Sequence, residues 1–191
     1  MSFNGQKILP AVRNMKDFDK MMNTHYQYGV FLDLHVGQLK SVYQYANNAE
    51  KKMFLHIDLI QGLKSDEYAT EYVCQEVKPY GIISTKGSVI QKANHKGVAT
   101  TLRTFIIDSS ALKKSINLIQ KVDPDYIEIL PGVVPKVIKE IHEATGKPIF
   151  AGGLIESVEE VEVALDAGAS AITTSNRSLW KQYDLSRING Q

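Results

Sequence analysis

Cysteine is nearly absent. A single one, Cys74, occurs in 191 residues, which excludes an intrachain disulfide framework and suits a reducing compartment. Its setting, EYVCQEV, places it on the apolar side of a helix as a small hydrophobe rather than as a nucleophile. Long apolar runs are missing too. None approaches the ~20 residues of a membrane span, and no basic stretch followed by an apolar one opens the chain, so a cytoplasmic protein without membrane association is expected. Charge of one sign is equally scarce. With 22 Lys and Arg against 21 Asp and Glu, a net charge of +1 supplies no global field for nucleic acid, although a local patch stays open. His25, His35, His56, His95 and His142 are scattered without metal-ligand spacing, so no metal is expected. A Walker loop, a G-x-S-x-G elbow, a G-x-G-x-x-G after the first strand, an aromatic RNA-binding box and a GXXG clamp are all lacking. No residue is assigned as catalytic.

What is present is alternation. Short β-branched, apolar runs occur at Ile8–Asn14, Gly29–Leu34, Phe54–Ile60, Gly81–Thr85, Leu102–Asp108, Tyr126–Leu130, Pro148–Ala151 and Ala171–Thr174. Helical patterns fall between them at Asp17–Tyr26, Ser65–Val77, Ser109–Lys121, Pro135–Thr145 and Ser157–Ala167. Their starts and stops are legible: Ser-x-x-Glu opens the last, Pro opens the fourth, and Gly146 and Gly168 follow their ends. Eight strands with interleaved helices predict a parallel sheet closed as a compact (β/α)8 TIM-type barrel. About 250 residues are typical for that fold, so short helices are implied. No linker or low-complexity tract divides the chain, and residues 1–191 read as one domain.

The stretch KPIFAGGLIESVEEVEVALDAGASAITTSN, residues 147–176, carries the strongest functional signal. Two consecutive strand-to-helix turns, at Gly152-Gly153 and at Thr174-Ser175-Asn176, can aim backbone N–H groups at one anion, because glycine has no Cβ to block close approach. A phosphate-binding site at the ends of strands seven and eight is expected, as in many such barrels. The plainer alternative is a pair of tight turns that bind nothing. Pro131-Gly132, ending strand six, shapes one wall of the expected site.

Charges also alternate within strands. In GVFLDLH, Val30, Leu32 and Leu34 share one face and Phe31, Asp33 and His35 the other; in FLHIDLI, Leu55, Ile57 and Leu59 oppose Phe54, His56 and Asp58. With the aliphatic faces toward the helices, Asp33, Asp58 and Glu128 point inward, and Arg13, Lys86 and Arg103 lie near strand ends. Such charges must pair with one another or with a ligand. Lys86 or Arg103 is assigned to phosphate contact, and Asp33, Asp58, Glu128 and Arg13 to a polyol. Lys113, Lys114 and Lys121 form the densest helical lysine cluster, a candidate RNA contact, although such runs are most often solvated faces.

Several long strings together point to a family: ILPAVRN (8–14), FLDLHVGQL (31–39), KKMFLHIDLIQGL (51–63), DEYATEYVCQE (66–76), GIISTK (81–86), IEILPGVVPKVIKEI (127–141), IFAGGLI (149–155) and AITTSNRSLWK (171–181). Nearly end to end, the chain resembles the glycerol-3-phosphate-responsive antiterminators, regulators of glycerol uptake operons. The resemblance implies a barrel that binds glycerol 3-phosphate as an effector, needs no cofactor, and acts on the leader of its target mRNA to prevent early termination and stabilise the transcript. A non-enzymatic, RNA-binding regulator is thus expected, with homo-oligomerisation left open. Ligand binding would order mouth loops at Gly87–Gly97 and Gln61–Ser65. Two competing readings come from the residues alone. One is a phosphate-barrel isomerase, aldolase or hydrolase using the inward charges. The other is a metabolite-binding subunit that touches a protein.

Overall fold

The computed structural model describes residues 3–188. Strands β1 (Ile8–Val12), β2 (Tyr28–Phe31), β3 (Lys52–His56), β4 (Gly81–Ser84), β5 (Ala99–Phe105), β6 (Tyr126–Leu130), β7 (Ile149–Gly152) and β8 (Ala169–Thr174) pair in parallel and in chain order, and β8 closes on β1. Helices α1 (Met15–Met22), α2 (Leu39–Asn48), α3 (Glu67–Tyr72), α4 (Gly87–His95), α5 (Ser109–Val122), α6 (Pro135–Thr145), α7 (Val158–Asp166) and α8 (Arg177–Ile188) follow the strands in turn. None is long and apolar enough to cross a membrane, among the described residues.

Local chemistry sets the helix ends. The Asp108 carboxylate accepts from the Ala111 N–H to start α5, and Ser157 with Glu160 forms a reciprocal capping box at α7. Pro135 opens α6, and Gly146 stops it with a left-handed φ of 64°. Cys74 follows α3 within a single π turn; burial pushes its thiol up to about 11, as suits a packing residue.

Two apolar layers result. Outward residues such as Ile82, Leu102, Ile127 and Ile149 are fully buried against the helices. Each contributes about 1.5–3 kcal/mol, so a one-residue slip that turned the row into the lumen would be prohibitive. Inside, Phe3, Tyr28, Phe54, Tyr126 and Phe150 fill the lumen at the strand starts, with Tyr126 stacked on Phe150 at 5.0 Å and Phe3 edge-on to Tyr28 at 5.0 Å. Among the described residues this plug closes the N-terminal end, and the lumen opens where the strands finish.

Three expectations are corrected. Residues 87–97 are mostly the helix α4, with Val89, Ile90 and Ala93 buried, rather than a mouth loop awaiting a ligand. α2 and α8 are helices that sequence patterning missed. The faces of β2 are also reversed: Val30 and Leu32 fill the lumen, while Phe31 packs outward on Phe18 and Tyr43 at 4.8 and 5.3 Å. Phe31 gains edge-on ring contacts in the helix layer, and Val30 and Leu32 border the cavity at the open end of the lumen.

Candidate functional site

A cavity of about 490 Å³ opens at the C-terminal mouth, bounded by the ends of β1, β2 and β5 to β8. Its wall begins at β7. Gly152 is required there because a Cβ would collide with the Thr173 hydroxyl and approach Glu128 Oε1 to 3.3 Å. Gly153 and Leu154 follow with left-handed φ angles of 73° and 62°, turning the chain across the mouth. A leucine in that conformation, left 68% exposed, is strained and unusual. Opposite, β8 ends at Thr174, and Ser175-Asn176 leads into α8.

Asn176 binds the two turns together. Its Oδ1 accepts from the N–H groups of Ser178 (2.9 Å) and Leu179 (3.4 Å), capping α8, and its Nδ2 donates to the Glu156 carbonyl at 3.3 Å. Its own N–H donates to Thr174 Oγ1 at 3.1 Å, so Asn176 organises the wall rather than offering the free N–H that was expected. The N–H groups of Gly153, Leu154 and Ser175 have no hydrogen-bond partner among the described residues and border the cavity. Donors so placed suit an anion.

The floor is charged. Glu128, with its side chain 1% exposed, accepts from Arg103 Nε at 2.5 Å and from the Thr173 hydroxyl at 2.6 Å. Arg103 is thereby committed to a carboxylate. Arg13 also lines the cavity, is exposed, and makes no ion pair among the described residues. It is the cation left over for an incoming anion.

Arg13, Arg103, Glu128, Gly152, Gly153, Thr174, Ser175 and Asn176 therefore meet in one cavity wall. Gly132 stands behind it, its N–H on the Gly152 carbonyl. Asp33, Asp58 and Lys86 are not on that wall. Asp33 lies past the end of β2, half-buried. Asp58 sits in a 3-10 turn, Ile57–Leu59, that curls it toward β4, where it accepts from Ser65 Oγ (2.6 Å), Ser84 Oγ (2.7 Å) and the Thr85 N–H (2.7 Å). Burial pushes its carboxyl up, but these hydrogen bonds outweigh that and hold it below its ordinary value. Through Ser65 the same clasp anchors the end of segment 61–65, one of the expected mouth loops. Lys86 is occupied elsewhere, its Nζ donating to the Ser65 carbonyl at 2.7 Å. Lys113, Lys114 and Lys121 are exposed on α5 and form no ion pair among the described residues. No group of His, Cys, Asp and Glu able to hold a metal occurs among the described residues.

His56 was not singled out in the sequence. It lies inward at the end of β3, 2% exposed, and both ring nitrogens lack partners. Burial, then the nearby Arg103 charge, lowers its pKa to about 4, so the ring is neutral at pH 7.

Residues 8–180 match the family described as "Glycerol-3-phosphate responsive antiterminator". The structure resembles that of a glycerol uptake operon antiterminator regulatory protein from Listeria monocytogenes str. 4b F2365, with 45% identity, 95% of this chain and 98% of that one covered, and a TM-score of 0.92. It also resembles a glycerol uptake operon antiterminator-related protein from Thermotoga maritima MSB8, with 31% identity, 92% and 98% covered, and a TM-score of 0.80. Deoxyribose phosphate aldolase from Aeropyrum pernix, at 14% identity over 96% of this chain and 90% of its own, with a TM-score of 0.68, shares the barrel and shows the fold alone.

Proposed function

Because the chain belongs to the glycerol-3-phosphate responsive antiterminator family, we propose that its mouth cavity binds glycerol 3-phosphate and that the liganded protein acts on the leader of glycerol-operon mRNA, preventing early termination. The observation that carries the ligand assignment is the set of unpartnered N–H groups of Gly153, Leu154 and Ser175 beside the unpaired Arg13, a seat for one phosphate. Glu128, fixed by Arg103 and Thr173, retains lone pairs for a glycerol hydroxyl, so inorganic phosphate leaves that acceptor unused. Binding serves as a signal, and the ligand leaves unchanged. The switch is then a coupling: leader RNA has higher affinity for the liganded state, and by linkage the RNA raises ligand affinity equally.

Gel retardation of glycerol-operon leader RNA, with and without glycerol 3-phosphate, tests this reading. Ligand-dependent retention is expected; no retention at low salt with saturating ligand would sink direct RNA binding. Turnover of glycerol 3-phosphate near 1 per second would instead favour an enzyme. Gly153→Val, which adds a strained side chain beneath the phosphate seat, should abolish ligand-induced thermal stabilisation. Unchanged calorimetric affinity in that variant would remove the seat from consideration.

A further inference from the structure

The rim of the mouth carries large apolar side chains left in the open. Phe105 and Ile107, at and just past the end of β5, are 54% and 84% exposed, and Leu154 after β7 is 68% exposed. Leu130 joins them. It pairs with Phe105 in the β5–β6 register, two residues beyond the Arg103 and Glu128 pair of the floor, and a Cβ at Gly153 would meet its Cδ2 at 3.4 Å. Leu130 and Leu154 both line the cavity. One apolar ridge therefore follows the rim from the β5 turn to the β7 turn, where its last member shares backbone with the phosphate seat.

Unpaired cations flank this ridge. Ile107 leads into α5, whose Lys113 and Lys114 lie in its second turn, exposed and without an ion pair among the described residues. Asp108, the acid between them, is committed to the α5 cap by the Ala111 N–H at 2.7 Å. Arg13 stands across the mouth, past the end of β1. An exposed aromatic ring among unpaired cations fits single-stranded RNA, in which every base has a face to stack and every phosphate a charge to neutralise. A second copy fits less well, because two-fold pairing of this face would bring like charges together.

We propose that the Phe105–Leu130–Leu154 ridge, continued by Lys113 and Lys114, is the docking surface for single-stranded leader RNA, with Phe105 as a stacking platform. This rests on the RNA reading above and deepens it. A phosphate held by the N–H groups of Gly153 and Leu154 fixes the turn that carries the end of the ridge. RNA that favours the fixed ridge is thereby coupled to the ligand.

Retention of leader RNA at saturating glycerol 3-phosphate, compared among the parent, Phe105→Ala and Phe105→Tyr, tests the assignment. Phe105→Ala should weaken RNA about tenfold, and Phe105→Tyr, which keeps a stacking face, should stay within about twofold of the parent. Melting temperature and calorimetric affinity for glycerol 3-phosphate without RNA should match the parent's in both variants, because the ring is exposed and off the cavity wall. In a second arm, leader RNA carrying 5-bromouridine is irradiated on the liganded parent, and adducts should fall within residues 105–107. RNA retention by Phe105→Ala equal to the parent's, or adducts confined to another face, overturns the proposal and leaves ligand-dependent RNA binding intact. A dimeric parent that becomes monomeric in Phe105→Ala, with RNA retention unchanged, overturns it and assigns the ridge to a second copy. A parent that retains no leader at low salt with saturating ligand overturns the RNA reading, and this proposal with it.

Discussion

The backbone N–H of Gly132 donates to the Gly152 carbonyl at 2.6 Å, and a Cβ on Gly132 would lie 2.8 Å from the Gly152 nitrogen. The turn after β6 thus presses backbone to backbone on the turn that forms the cavity wall, and a residue with any side chain displaces it. Gly132→Ala should push the Gly152-Gly153 turn into the cavity, destabilising the fold by about 1–3 kcal/mol and weakening glycerol 3-phosphate at least about tenfold. Urea unfolding and calorimetry together check this. A stable variant of unchanged affinity would show that the turn is not set by Gly132.

The Arg103–Glu128 pair invites a double-mutant cycle. Arg103→Met alone strands a carboxylate whose side chain is 1% exposed and should cost about 3–5 kcal/mol. Adding Glu128→Leu removes the stranded charge and should recover most of that loss in urea unfolding. A double variant no more stable than Arg103→Met would place the cost in lost packing instead.

Acid should weaken the fold partly through His56. Its folded pKa of about 4 lies below the ordinary 6.5, so between those values the unfolded chain takes up a proton that the folded one refuses. This component is fully present above pH 6.5, declines as pH falls toward about 4, and amounts to at most about 3 kcal/mol. Stability against pH, measured for the parent and for His56→Leu, should differ in slope across that window. Parallel curves would mean that the imidazole is not held neutral.

On α5, the exposed Lys113, Lys114 and Lys121 lie outside the barrel wall, away from the cavity. Reversing all three to Glu should weaken retention of leader RNA and flatten its salt dependence, because fewer counterions are released, while glycerol 3-phosphate affinity stays within about twofold. A triple variant that retains RNA like the parent would move the RNA contact to another face.

The strands and the best-capped helices were legible because their signals are local: β-branched runs, the Ser157–Glu160 box, Pro135 and Gly146. α4 was not, because it begins with Gly87 after Lys86, which makes no side-chain cap, so GSVIQKANHKG reads as a loop. α2 likewise starts at Gln38 without a side-chain cap. Within the site, the alternation that turned Glu128 inward held because β6 is regular to Leu130. It failed for Asp58, where the chain leaves the strand for a 3-10 turn after His56 and parity is lost. β2 misled for a different reason: VFLDL is apolar on both faces, so periodicity could not choose between them. His56 did fall on the predicted inward face beside Phe54, but its lack of a partner is a three-dimensional property.

Among the described residues, the aromatic plug of Phe3, Tyr28, Phe54, Tyr126 and Phe150 gives the lumen a single door. A small metabolite held inside must depart by the path it entered, past Leu154 and the two glycine-rich turns. Any macromolecule seated across that opening would convert a fast-exchanging effector into a captive one, so the lifetime of the signal would be set by the larger partner's departure.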